Sequence, residues 1–257
     1  MRDLPQRKIL GLSVADCSMD DLIASLAGEV EKGSTIHLIT LNPEMVAYAA
    51  HHEKFLHILS RAEYRVADGI GIVIGSRFLQ CPLRHRLPGI EIAQALLKEG
   101  EKRGWCVFFL GGTEDVIDKV EDTVRKEYPA LRIAGTHHGY FQNDVEVSDK
   151  VVSSHPELVL VSMGSPRQEE WIERNRHALS GTLLVGIGGS FDVLSGEKRR
   201  SPAVFRRFGL EWAWRVGSEP RRLARVVPAL FHFGWMLIRA RFGSYSLLLK
   251  EDTRRML

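Results

Sequence analysis

Two glycine-rich loops, each following an apolar run, are the strongest pointers to chemistry in this chain. Residues 183–192 read Leu-Leu-Val-Gly-Ile-Gly-Gly-Ser-Phe-Asp, a buried strand breaking into a loop whose bare N–H groups suit an anion. Residues 158–164 form a near twin that runs into Ser165-Pro166-Arg167-Gln168-Glu169. Adjacent strands with such endings build a crevice fit for a diphosphate-bearing ligand.

Other polar residues sit at equivalent strand ends. Thr40 and Asn42 precede Pro43, where a helix can begin; taken alone both read first as helix caps and second as ligand contacts at a strand end. Asp68 ends an apolar run and precedes Gly69, so it is either a carboxylate turned into the crevice or the N-cap of the next helix. Arg84 and Arg86 stand before another helix, and guanidinium groups recognise phosphate in a bidentate way. The glycine spacings at 69, 71 and 75 and at 186, 188 and 189 miss the dinucleotide fingerprint. The sequence has no Asp-x-Asp triplet, no Walker loop, no Gly-x-Ser-x-Gly elbow and no zinc-type spacing of its histidines and cysteines.

The elements that must carry these residues alternate. Strands are expected at 36–41, 65–67, 105–110, 131–134, 158–163 and 183–187. Helices are expected at 43–60, 70–78, 89–103, 114–128, 143–154 and 166–178. Non-alternating apolar strands between helices mean a mainly parallel α/β sheet covered on both faces.

Charge divides the chain. Residues 198–257 hold 14 Lys and Arg against 4 Asp and Glu, a balance of +10, whereas residues 1–197 carry −7. The expected organisation is therefore an α/β core over 1–197 and a basic helical appendage over 198–257. Within that appendage the longest charge-free run, 226–238, contains Pro228, His232 and Gly234. It is too short to span a bilayer, so it reads as a segment lying on a membrane. Aromatic and basic residues alternate around it, which suits an anionic surface; no recognition-helix or RNA-binding signature accompanies them, so nucleic acid is not expected. Three scattered cysteines argue against a disulfide framework and for a reducing compartment, and no secretory signal is read at the start.

Taken in order, Thr40-Leu41-Asn42-Pro43-Glu44, Val66-Ala67-Asp68-Gly69, Arg86-Leu87-Pro88-Gly89, Phe109-Leu110-Gly111-Gly112, Gly139-Tyr140-Phe141, 164–169, Gly188-Gly189-Ser190-Phe191-Asp192 and 211–222 resemble the bacterial WecG/TagA/CpsF glycosyltransferase family. The likeness covers about residues 40–225. It implies a Rossmann-like fold and an inverting, metal-independent enzyme on the cytoplasmic membrane face. Such an enzyme moves a sugar, typically N-acetylmannosamine, from a UDP-sugar to a polyprenyl-diphosphate-linked sugar. It also implies an appendage that docks on the membrane and completes the site. Glu91 stands where many members have Asp, and Ser201 where Ala is common; the donor could equally be UDP-glucose or the uronic acid.

Carried onto this chain, the resemblance makes Asp68 the base, with Thr40 positioning a substrate. Asn42, Gln168, Gly188, Gly189 and Asp192 would bind the nucleotide-sugar. Arg86 with Arg215, Arg221, Arg222 and Arg225 would balance the departing diphosphate. No cofactor or metal is expected; the expected partners are the UDP-sugar, the lipid-linked acceptor and an anionic membrane, with self-association left open.

Overall fold

The computed structural model describes residues 4–207, 209–243 and 247, apart from the side chains of Arg215, Val216, Ser218 and Pro220. A short antiparallel hairpin, β1 (Gln6–Ile9) and β2 (Leu12–Ala15), opens the chain, followed by α1 (Met19–Glu31). The main sheet contains β3 (Ile36–Leu41), β4 (Tyr64–Ala67), β5 (Cys106–Gly111), β6 (Arg132–His137), β7 (Leu158–Ser162) and β8 (Leu183–Gly186). Its order is β4-β3-β8-β7-β5-β6 and every pairing is parallel.

Between the strands lie α2 (Pro43–Ala49), α3 (Glu53–Arg61), α4 (Ile70–Phe78), α5 (Gly89–Arg103), α6 (Glu114–Glu127), α7 (Asp144–Ser153) and α8 (Arg167–Asn175). Crossovers between parallel strands are right-handed as a rule. Connections running toward β6 and toward β4 must therefore lie on opposite faces. Packing follows that rule: Leu158 and Leu160 join the α1, α5 and α6 residues in one cluster, while Val159 and Val161 join those of α7 and α8 in another. Both faces are dry, which is why the strands read as continuous apolar runs.

After α9 (Phe191–Leu194) come α10 (Ala203–Arg207), α11 (Glu211–Ser218), a 3-10 turn at Pro220–Arg222, and α12 (Leu223–Phe242). Helix α12 continues through Pro228 for 20 residues, about 30 Å. Neither Pro228 nor Gly234 interrupts it. By length and composition this helix could cross a membrane. Its Val226, Phe233, Met236 and Leu237 are nevertheless buried, the last three in one cluster with residues of α2 and α4. A Cβ on Gly75 would stand 3.0 Å from Leu237 and 3.1 Å from Phe233, so the glycine lets α12 lie close along α4. Helix α12 thus shares a hydrophobic cluster with the α/β elements.

Two local expectations are corrected. The helix expected over 43–60 is two helices, broken at residues 50–52, where Tyr48 stacks on His52 and the His52 ring bonds the Tyr48 carbonyl at 2.8 Å. The hairpin and α1 were not expected at all. The hairpin turns on Leu10 and Gly11, with φ of 51° and 96°; Leu-Gly lacks the Asn or Asp that usually marks such a turn.

Candidate active site

The strands of a parallel sheet point their carboxyl ends the same way, and ligands bind there, where successive crossovers leave in opposite directions. From β5 the chain leaves toward β6, and from β7 toward β8. Above the strand ends lies a cleft of about 810 Å³. Its floor is made by the ends of β3, β4, β8, β7 and β5, and one wall by α12.

The loop after β8 forms the middle of the floor and is pinned from both sides. Thr40 Oγ1 on β3 donates to the Gly186 carbonyl at 3.1 Å. On the other side, Ser162 Oγ donates to the Gly188 carbonyl, and Gly188 N–H donates to Gln168 Oε1 at 3.0 Å. A Cβ at Gly186 would stand 2.5 Å from Gln168 Nε2, so only glycine lets the amide reach across. Gly111, at φ +137°, is tighter still: a Cβ there would lie 2.2 Å from the Ser162 carbonyl oxygen.

Gln168 is itself held. Its Nε2 donates to Glu169 Oε1 at 2.7 Å. Glu169 is 1% exposed, and among the described residues its Oε2 meets no donor at hydrogen-bonding geometry. Burial pushes this carboxyl up to about 7, against the hydrogen bonds that favour its charged form. Sequence reasoning quoted Glu169 and gave it no role; its signal is a second carboxylate beside a cleft glutamine.

Asp68 lines the cleft beside Thr40 and Asn42. The N-cap of α4 is Gly69, not Asp68. Asn42 does cap: its Oδ1 accepts from Met45 N–H at 3.0 Å, which leaves its amide nitrogen for a ligand. Thr40 is no cap, its hydroxyl proton being directed to Gly186.

The cations are distributed differently from expectation. Arg222 and Arg225 line the cleft, each with an acid: Arg222 Nε with Glu219 at 2.5 Å and Arg225 Nε with Glu44 at 2.8 Å. Arg86 is not on the cleft surface. It pairs with Glu211, a lining residue, at 2.9 Å and donates to the Arg206 carbonyl, tying α11 to the core. Arg221 is exposed and outside the lining, and the Arg215 side chain lies outside the described residues. Arg167, not assigned from sequence, does line the cleft and donates to the Gly139 carbonyl at 2.9 Å.

A side cavity of about 300 Å³ opens off the cleft between Gly189, Asp192, Trp214 and Lys198. Lys198 bridges Asp192 at 2.7 Å and Glu219 at 2.8 Å, and hydrogen bonds from Lys198 and Arg222 hold the Glu219 carboxyl down at about 2. Glu91, the departure noted in the sequence, reaches Arg200 at 2.5 Å. Among the described residues, no three His, Cys, Asp or Glu side chains converge as metal ligands would.

The model of the glycosyl transferase WecG/TagA/CpsF family matches residues 7–247. Among characterised proteins, the chain is 35% identical over 221 residues to the N-acetylglucosaminyldiphosphoundecaprenol N-acetyl-beta-D-mannosaminyltransferase of Staphylococcus aureus strain MW2, covering 85% of this chain and 87% of that one. The enzymes of the same name from strains NCTC 8325 / PS 47 and MRSA252 are 35% and 34% identical over the same shares.

Proposed function

This chain belongs to the WecG/TagA/CpsF family and is a glycosyltransferase; from that premise we propose that it transfers N-acetylmannosamine from a UDP-sugar to a polyprenyl-diphosphate-linked N-acetylglucosamine, in the synthesis of a cell-surface polysaccharide or teichoic acid. The observation that carries this reading is the meeting of Asp68, the pinned glycine loop and the appendage arginines in one cleft. The transferred sugar and the lipid-linked acceptor are those in the relatives' name; the UDP-sugar donor is part of this reading. The β product in that name, set against the α linkage usual in UDP-hexoses, supports inversion in a single displacement.

In that displacement Asp68 takes the proton of the acceptor hydroxyl as the sugar carbon is attacked from the face opposite the leaving diphosphate. Thr40 and Asn42 orient the sugar. The leaving UDP gains negative charge, and fixed positive charge aimed at it lowers the barrier. Arg222, with Arg167 at the start of α8, supplies that charge, trading Glu219 and the Gly139 carbonyl for phosphate oxygens. Asp192 accepts hydrogen bonds from base or ribose once Lys198 turns aside. With guanidinium groups in that role, turnover is expected to persist in excess EDTA, and a strict Mg²⁺ or Mn²⁺ requirement would contradict it.

A lipid-linked acceptor must be met at a surface. On the side of α12 away from the core, Phe231 (78% exposed), Trp235 (59%) and Phe242 (79%) stand out, and Ile74 and Phe78 of α4 are exposed too. Such an apolar face with arginines along it suits peripheral binding to anionic lipid. Vesicle binding is expected to weaken as salt rises and on Phe231→Ser with Trp235→Ser; binding indifferent to both contradicts it.

The whole reading is tested by presenting UDP-sugars singly with a short-chain polyprenyl-diphosphate-linked N-acetylglucosamine and weighing the product by mass spectrometry. Addition of one N-acetylhexosamine only with the manno donor is expected. Transfer of glucose or a uronic acid instead corrects the donor, and no transfer from any UDP-sugar overturns the reading.

A further inference from the structure

The seam between α2 and α12 carries two cross-helix contacts at matching intervals. Glu44 pairs with Arg225 at 2.8 Å, and seven residues on in each segment His51 Nε2, just past the end of α2, meets His232 Nδ1 at 3.2 Å. Along α12 seven residues are two helical turns, about 10 Å. The helices therefore run side by side in one direction, and all four residues line the cleft.

Neither imidazole has a part in the displacement described above. Two rings in contact share one N–H···N bond, and each needs only a small turn to offer an N–H donor to an anion instead. The flanking residues of α12 add a second property. Phe231 adjoins His232 in sequence, Trp235 lies one turn on, and both are well exposed. A row of two imidazoles and a guanidinium, edged by exposed aromatics, fits a ligand with an anionic head and a hydrocarbon tail.

Position separates this row from the nucleotide's end of the cleft. Helix α2 springs from β3, whose other neighbour in the sheet is β4, the strand that presents Asp68. The switch-point loops after β7 and β5 lie two and three strands away from β3 on the opposite side, or about 14 Å to β5 at ordinary strand spacing. One end of the cleft thus has Asp68 and the histidine row, and the other has Ser162, Gly164 and Arg167.

We propose that His51, His232 and Arg225 bind the diphosphate of the lipid-linked acceptor, with Phe231 and Trp235 receiving the first isoprene units on their way to the bilayer. The assignment rests on the reaction proposed above. It places the acceptor's terminal sugar toward Asp68 and the donor diphosphate at the far end of the same cleft. On binding, the histidine rings part, each donates an N–H to a phosphate oxygen, and Arg225 trades Glu44 for another.

Two measurements on the full chain test it. Calorimetric titration with farnesyl diphosphate, with and without saturating UDP, reads the site without turnover; farnesol and inorganic diphosphate test tail and head alone. Farnesyl diphosphate is expected to bind beside UDP, and at least tenfold more tightly than either half. In the His51→Gln and His232→Gln proteins its affinity should fall about tenfold while UDP affinity stays within twofold. Steady-state kinetics should then show the acceptor KM raised about tenfold in each variant and the UDP-sugar KM unchanged. Competition between farnesyl diphosphate and UDP for one site would overturn the proposal, as would unaltered affinity and acceptor KM in both variants. A protein that binds farnesyl diphosphate as described yet transfers no sugar would instead overturn the reaction and leave the site standing.

Discussion

The cleft floor, at the ends of β3, β8 and β7, is fixed by hydrogen bonds among Thr40, Ser162, Gln168 and the backbone of 186–188, groups that are mostly buried and uncharged. The α12 side is fixed by ion pairs of half-exposed arginines with Glu44 and Glu219. The first arrangement is preorganised, because its partners have nowhere else to go. The second is exchangeable, because a surface ion pair is worth about 1 kcal/mol or less and a diphosphate can outbid a carboxylate. One region holds geometry and the other holds charge in reserve.

Substitutions separate the two regions by the size and kind of their effect. Asp68→Asn, at the edge of the floor, should lower kcat by about 10²–10⁴-fold with saturating acceptor, the usual worth of a general base; near-normal turnover would remove Asp68 from that role. Gly111→Ala should cost about 3 kcal/mol of stability or more in urea unfolding, since a left-handed φ and a backbone collision act together. Unchanged stability would mean the β5–β7 junction yields easily.

Glu169 gives the floor a pH signature. The folded protein keeps the Glu169 proton up to about pH 7, whereas the unfolded chain releases it near the ordinary carboxyl value of 4.5. The native state therefore binds more protons in that window, so stability falls as pH rises from about 4.5 to 7, by roughly 3 kcal/mol. Below the window both states are protonated, and above it the loss is constant. Glu169→Gln should flatten that slope in thermal melts across pH 4.5–7.5; a slope equal to wild type would place the titration elsewhere. On the other side, Arg222→Ala should lower kcat/KM by about 10–100-fold, the worth of one charge-assisted bond, with stability nearly unchanged. A variant that lost stability and kept activity would reverse the contrast drawn here.

The sequence made the floor legible and the wall only in outline. Strand ends followed by glycine or a short polar residue mark ligand positions in any parallel sheet, so Thr40, Asn42, Asp68, Gln168 and the 186–192 loop were found by position and came together in the cleft. The start of α6 after Thr113 was equally readable, and Asn143, expected as the first residue of α7, is its cap. What the arginines face was not, because a long cation's direction depends on which acid lies across a tertiary contact. Arg86 turned to Glu211 on α11, and Arg225 to Glu44 on α2. Pro228 does not break α12: the missing N–H costs one bond to the Ala224 carbonyl, and burial of Phe233, Met236 and Leu237 outweighs it.

Helix α12 packs on both α2 and α4, and these two helices leave the strand ends that present Asn42 and Asp68. A single element thus closes the apolar interior on one side and turns Phe231 and Trp235 to the outside on the other. Trimming the chain before Leu223 to make it easier to handle would uncover Met45, Val46 and Ile72 as well as remove the arginines. The part that seeks the lipid is also the lid of the box, and the two duties cannot be cut apart.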